Sequence, residues 1–124
     1  MNNQELVARQ REFFYSGKTL PLSERIKNLK QLRQAILRYE DRITEALYDD
    51  LGKSAFEAYE TEIGVTLQEL SQMIRKLPHY AKPKRVTSFP FPGRIYHEPY
   101  GVVLIVAPWN YPFQLLMMPL IGAI

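Results

Sequence analysis

The run Gly101-Val-Val-Leu-Ile-Val-Ala-Pro-Trp-Asn-Tyr-Pro-Phe113 constrains the fold of this chain more than any other stretch. Six successive apolar residues, Val102 to Ala107, four of them β-branched, predict a strand covered on both faces, as in a parallel sheet. A parallel strand reaches its neighbour through a crossover of a dozen or more residues, usually a helix. Pro112 suits the first position of such a helix, where its missing N–H costs nothing. The 124 residues end inside that helix, so the sequence is expected to be the front piece of a larger protein. The helix itself, with Leu115, Leu116, Met117, Met118, Leu120 and Ile121, is apolar on nearly every side and is expected to be buried, with a kink at Pro119.

Several function classes drop out on composition. The chain has no cysteine, which excludes a disulfide framework, a thiolate nucleophile and a cysteine-rich zinc site within these residues. No metal site is expected. The N-terminus lacks the basic and apolar regions of a signal peptide, and no apolar run approaches the roughly 18 residues of a membrane span, so a cytoplasmic location without membrane insertion is the expectation. The net charge of +3 is local: Arg75, Lys76, Lys82, Lys84, Arg85 and Arg94 form a stretch without acidic residues, and the remaining ten basic and thirteen acidic residues sum to −3. Such a cluster reads as solvated linker charge rather than as a nucleic-acid surface. His79 and His97 are isolated and read as structural.

Residues 4 to 16 carry Leu6, Val7, Phe13 and Phe14 toward one side of a helix stopped by Gly17, and its mixed charge favours docking on a protein core over a membrane surface. Ser23 is the expected cap of a second helix, with Ile26, Leu29, Leu32, Ile36 and Leu37 on its apolar face. A third starts at Glu40-Asp41 and ends at Gly52. Ser54-Ala-Phe-Glu57 reads as a capping box opening a fourth, whose stripe is Ile63, Leu67, Leu70, Ile74 and Leu77. The carboxylates Glu57, Glu60, Glu62 and Glu69 are expected on its wet face, without a catalytic role. From Pro78 to Pro99 the chain holds five of its nine prolines, which predicts an extended crossing with no regular helix, followed by an edge strand over Arg94 to Glu98. The division expected is a helical part over 1–82, a proline-rich crossing over 83–100, and a first strand and helix over 101–124.

Ligands of open α/β sheets gather beyond the carboxyl ends of strands, where backbone amides and helix N-termini point outward. Pro108 to Pro112 occupies that position. Asn110 has two readings: an amide that donates to a developing oxyanion without changing charge, or a helix cap. Trp109 either fills a core gap or lines a substrate channel. No Gly-x-Gly-x-x-Gly or Walker loop is present.

Leu22-Ser-Glu-Arg-Ile26, Asp50-Leu-Gly-Lys-Ser54 with Glu57-Ala-Tyr59, Glu62-Ile-Gly64, and Glu98-Pro-Tyr-Gly with the run on to Phe113 appear in the order typical of one family. With these blocks the chain resembles the N-terminal part of the aldehyde dehydrogenase superfamily, in particular its class-3-like, fatty-aldehyde type. The resemblance implies an α/β fold of which this is the incomplete front: a helical segment, then the first strand and helix of a Rossmann-like NAD(P)-binding domain, mostly α within these residues. It implies oxidation of an aldehyde to a carboxylic acid through a cysteine thiohemiacetal, with NAD or NADP as cofactor and a homodimeric parent whose oligomerisation arm includes Pro90 to Pro99. It assigns Asn110 as the oxyanion donor and the backbone of Val106, Ala107, Pro108 and Trp109 to the cofactor cleft. The nucleophilic cysteine and the glutamate base of that family lie beyond Ile124, so residues 1–124 alone are expected to be inactive. The alternative is a freestanding helical interaction module that binds a partner through its basic segment and apolar C-terminus.

Overall fold

Turn chemistry divides the chain into helices that a long apolar stripe then gathers. The computed structural model describes residues 2–87 and 89–124. Helix α1, Asn3–Tyr15, opens on a capping box in which the Asn2 side chain accepts from the Glu5 amide at 2.8 Å and the Glu5 carboxylate accepts from the Asn2 amide at 3.1 Å. Gly17, at φ 74°, turns the chain away. Helix α2, Leu22–Arg38, begins after Pro21, which supplies no side-chain cap, so Ser23 lies one residue inside the helix rather than at the expected cap position. Helix α3, Glu40–Leu51, starts on its two acidic residues and stops at Gly52, whose left-handed φ of 68° no β-carbon-bearing residue adopts cheaply.

A short helix α4, Ala55–Ala58, is capped by the Ser54 hydroxyl, which accepts from the Glu57 amide at 3.2 Å. The reciprocal bond of a capping box does not form among the described residues. A π-helical turn, Tyr59–Ile63, carries α4 into α5, Gly64–Tyr80. Helix α5 runs through Pro78 rather than stopping there. The proline removes one hydrogen bond only two residues from the helix end, and the amide of Ala81 still reaches the Leu77 carbonyl at 2.9 Å. Leu29 and Ile36 of α2 meet Ile63, Leu67, Leu70 and Leu77 of the π-turn and α5, and Ile121 joins this core from α6, Pro112–Ala123. Helices α2 and α6 thus both pack on α5. Helix α1 buries none of its residues.

The proline-rich stretch contains an antiparallel pair, β1 (Lys84–Val86) and β2 (Gly93–Ile95), with Arg85 opposite Arg94. The expected edge strand is therefore shorter and earlier than Arg94 to Glu98, and it gains a partner that the sequence pattern does not assign. Ser88, at the head of the Phe-Pro-Phe-Pro segment, lies outside the described residues. The chain is mostly helical with this small sheet, a partial α/β fold.

Two expectations at the C-terminal end are corrected. Residues 102–107 form no strand and are not covered on both faces: Val102, Ile105 and Ala107 are half-buried, while Leu104 is 87% exposed and Val106 83%. A strand is held by ladder bonds to a neighbour, and no described residue pairs with this run. Helix α6 is not enclosed either; only Ile121 is buried, while Leu116 stays exposed. It continues as helix through Pro119. No described helix is long and apolar enough to cross a membrane.

Candidate functional site

The residues before α6 are fixed from two directions by a buried ion pair. Gly52, in its left-handed turn, redirects the chain after α3, and Lys53 then enters the interior at 7% exposure. The π-turn presents Glu62, which has no exposed surface. The Lys53 ammonium donates to Glu62 Oε1 and to the Asn110 carbonyl at 3.2 Å. It also sits 3.9 Å from the centroid of the Tyr111 ring, within cation–π range. Glu62 Oε2 accepts from the Phe113 amide at 2.8 Å and the Gln114 amide at 3.2 Å.

Those two amides are the donors that the first turn of α6 leaves without an intrahelical acceptor, Pro112 having none. A carboxylate at the positive end of a helix dipole is favourable, by up to ~2 kcal/mol where partly buried. The distant Glu62 therefore replaces the local side-chain cap that α6 lacks. The N-terminus of α6 is consequently occupied by the chain's own carboxylate and is not the outward-pointing anion site expected from the strand–helix pattern. Glu62, with all of its bonds directed inward, is not placed to act as a general base, and Lys53 is equally engaged.

Asn110 is not the helix cap: Tyr111 is the N-cap residue and makes no side-chain capping bond. The Asn110 side chain is exposed and makes no hydrogen bond among the described residues, so its amide is free to donate outward. Trp109 is 88% exposed rather than filling a core gap. The backbone of Val106, Ala107, Pro108 and Trp109 is likewise unpaired among the described residues. The structure thus brings Asn110 and Trp109 to one exposed loop, continuous with the open 102–107 run.

Sequence reasoning misses Lys53 and Glu62, and the expected wet-face position of Glu62 is corrected by its burial. A signal existed. Glu62, Thr66 and Leu70 fall at i, i+4 and i+8, one row of a helix surface, and all three are fully buried. The Thr66 hydroxyl donates to the Glu62 carbonyl at 2.7 Å on that row. No described cluster of His, Cys, Asp and Glu is arranged to hold a metal.

Comparison with known proteins gives this loop a context. The family model described as "Aldehyde dehydrogenase family" matches residues 2–124. The chain is 50% identical over 116 residues to 4,4'-diaponeurosporen-aldehyde dehydrogenase of Staphylococcus aureus, covering 90% of this chain and 25% of that protein. It is 43% identical to the dimeric NADP-preferring aldehyde dehydrogenase of Canis lupus familiaris, covering 97% of this chain and 27% of that protein. A solved structure described as the substrate-bound state of Staphylococcus aureus AldH superposes with a TM-score of 0.93 at 47% identity, over 99% of this chain and 28% of that one. The chain thus spans about a quarter of the length of these relatives. A match over nearly every residue, with the fold preserved, means that this chain belongs to the aldehyde dehydrogenase family.

Proposed function

We propose that residues 1–124 form the front of an enzyme that oxidises aldehydes to carboxylic acids, and that Asn110 donates its side-chain amide to the oxygen of the tetrahedral intermediate. The observation that carries this reading is the position of Asn110: its carbonyl is tied to buried Lys53 while its side chain is left uncommitted and facing outward. Tying the backbone fixes the point from which the amide projects, and a side chain with no partner of its own keeps both N–H groups for an oxyanion. The nucleophile of the reaction, a cysteine thiolate that forms a thiohemiacetal, is supplied by residues outside this segment, which contains no cysteine. On this reading residues 1–124 alone are inactive.

The largely exposed backbone from Val106 to Trp109 fits a ledge for NAD or NADP, because its polar groups are unpaired among the described residues. When bound there, the nicotinamide cofactor supplies the hydride acceptor. Trp109 and the start of α6 then wall the cleft. Residues 1–82 give the helical cover, 83–100 the crossing, and 101–124 the first segment of the cofactor-binding domain. The name of the canine relative describes a dimeric, NADP-preferring enzyme, which supports a dimeric parent and use of NADP beside NAD; the arm that includes Pro90 to Pro99 is the segment proposed to carry the dimer contact. A cytoplasmic location completes the reading.

Asn110→Ala in the full-length protein tests it. Loss of one oxyanion donor lowers turnover by about 10²–10³-fold, with little change in KM for the aldehyde. Steady-state formation of NADH or NADPH reads this directly, and unchanged turnover removes Asn110 from the mechanism.

A further inference from the structure

We propose that Lys53 and Glu62 are positioning residues for Asn110, acting as a clamp that fixes the loop from which the oxyanion donor projects. This rests on the role of Asn110 proposed above. Four contacts form a closed ring. Lys53 donates to Glu62, Glu62 accepts from the amides of Phe113 and Gln114, the chain runs back from there to Asn110, and the Asn110 carbonyl accepts from Lys53. The Tyr111 ring lies against the ammonium. Among the described residues the bond from Lys53 is the only hydrogen bond to Asn110. Remove it and the residue is held by its covalent neighbours alone, Trp109 being almost wholly exposed.

A buried ion pair is weak evidence for stability, because the desolvation of two charges offsets most of their attraction. Its best-attested use is to fix a register. Here the pair fixes the start of α6 relative to the π-turn and to the end of α3, three elements that meet nowhere else through side-chain hydrogen bonds among the described residues. A displacement of about 1 Å at a reacting group lowers rate by about 10²-fold, so a clamp of this kind belongs to turnover more than to binding.

The test uses Lys53→Met and Glu62→Gln in the full-length enzyme, each made alone and together with Asn110→Ala. Lys53→Met is the milder change, since Glu62 keeps two amide donors and the helix terminus. Each variant is expected to lower kcat by about 10-fold or more while KM moves little, because misplacement acts on the transition state. Combined with Asn110→Ala, each is expected to lower kcat by less than about twofold further, because residues acting through one another are non-additive. Thermal melting of all variants reports the folded fraction. Equal losses with and without Asn110, or no loss at all, overturn the assignment. If neither variant yields folded enzyme, the pair is a determinant of folding and the assignment also falls. A wild-type enzyme that fails to reduce NAD or NADP with any aldehyde refutes the underlying reading of Asn110. An active wild type matched by Lys53→Met refutes the clamp alone.

Discussion

Gly64 decides whether Glu62 reaches α6. Its amide donates to the Tyr59 carbonyl, closing the π-turn, and a β-carbon built on it would lie 2.9 Å from that same oxygen and 3.1 Å from Tyr59 Cε1. The backbone oxygen cannot retreat without opening the turn. Glycine to alanine in an ordinary helix interior stabilises by roughly 0.5–1 kcal/mol; here the sign reverses. Gly64→Ala is expected to destabilise the protein by about 1–3 kcal/mol, the usual scale of overpacking, as measured by urea denaturation, and a stabilised variant would show that the turn relaxes to α-helix without loss. The same turn explains why the signal for the burial of Glu62 is easily misread in the sequence. A wet-face reading of Glu57, Glu60, Glu62 and Glu69 assumes one uniform helical period, whereas a π-turn inserts a residue and rotates the rest of the helix. The row Glu62, Thr66, Leu70 holds the information, but an acidic side chain on an apolar row looks like an error until its partner is known. Lys53, nine residues earlier and across Gly52, is connected to it only by the fold.

At the scale of elements, apolar spacing is a good guide wherever a helix packs on one side. Leu29 and Ile36 in α2, Leu47 in α3, and Leu67, Leu70 and Leu77 in α5 are all buried as their spacing requires. Prolines are a poorer guide. Pro78 is expected to exclude helix, yet so near the terminus it removes one bond that little else depends on. Helix α6 marks the limit of spacing, since an element apolar on all sides has no period from which a face can be chosen. It is held by Ile121, by partly buried Phe113 and Ile124, by the cap from Glu62, and by Arg25 Nε donating to the Ile124 carbonyl at 2.7 Å. Ile121 is 1% exposed against the α5 core. Ile121→Ala is therefore expected to cost about 2–5 kcal/mol and to speed amide exchange through α6 more than through α2. Equal protection of the two helices would mean that the bonds from Glu62 and Arg25, with Phe113 and Ile124, secure α6 without Ile121.

For the whole molecule the informative region is the run from Val102 to Ala107, where composition and structure diverge. Its residues have strand chemistry and no strand partner among the described residues, and an unpaired apolar edge is a template for another chain. The family relatives are about four times the length of this chain, and we propose that the β-branched run pairs in a sheet whose other strands lie outside these residues. Opposite behaviour is expected in two contexts. In residues 1–124 by themselves, Leu104→Lys and Val106→Lys are expected to leave helix content unchanged by circular dichroism and to reduce self-association in sedimentation velocity, since both side chains are already exposed. On the proposal that the run joins a sheet covered on both faces in a longer chain, the same lysines bury unpaired charge at a cost of several kcal/mol, and that protein is expected to misfold or melt far lower. Hydrogen exchange separates the contexts without mutation: amides of residues 102–107 should exchange freely in the short chain and be protected in the long one. Protection in the short chain without association would show that the run finds a partner within residues 1–124, and the freestanding-module reading would then regain its footing.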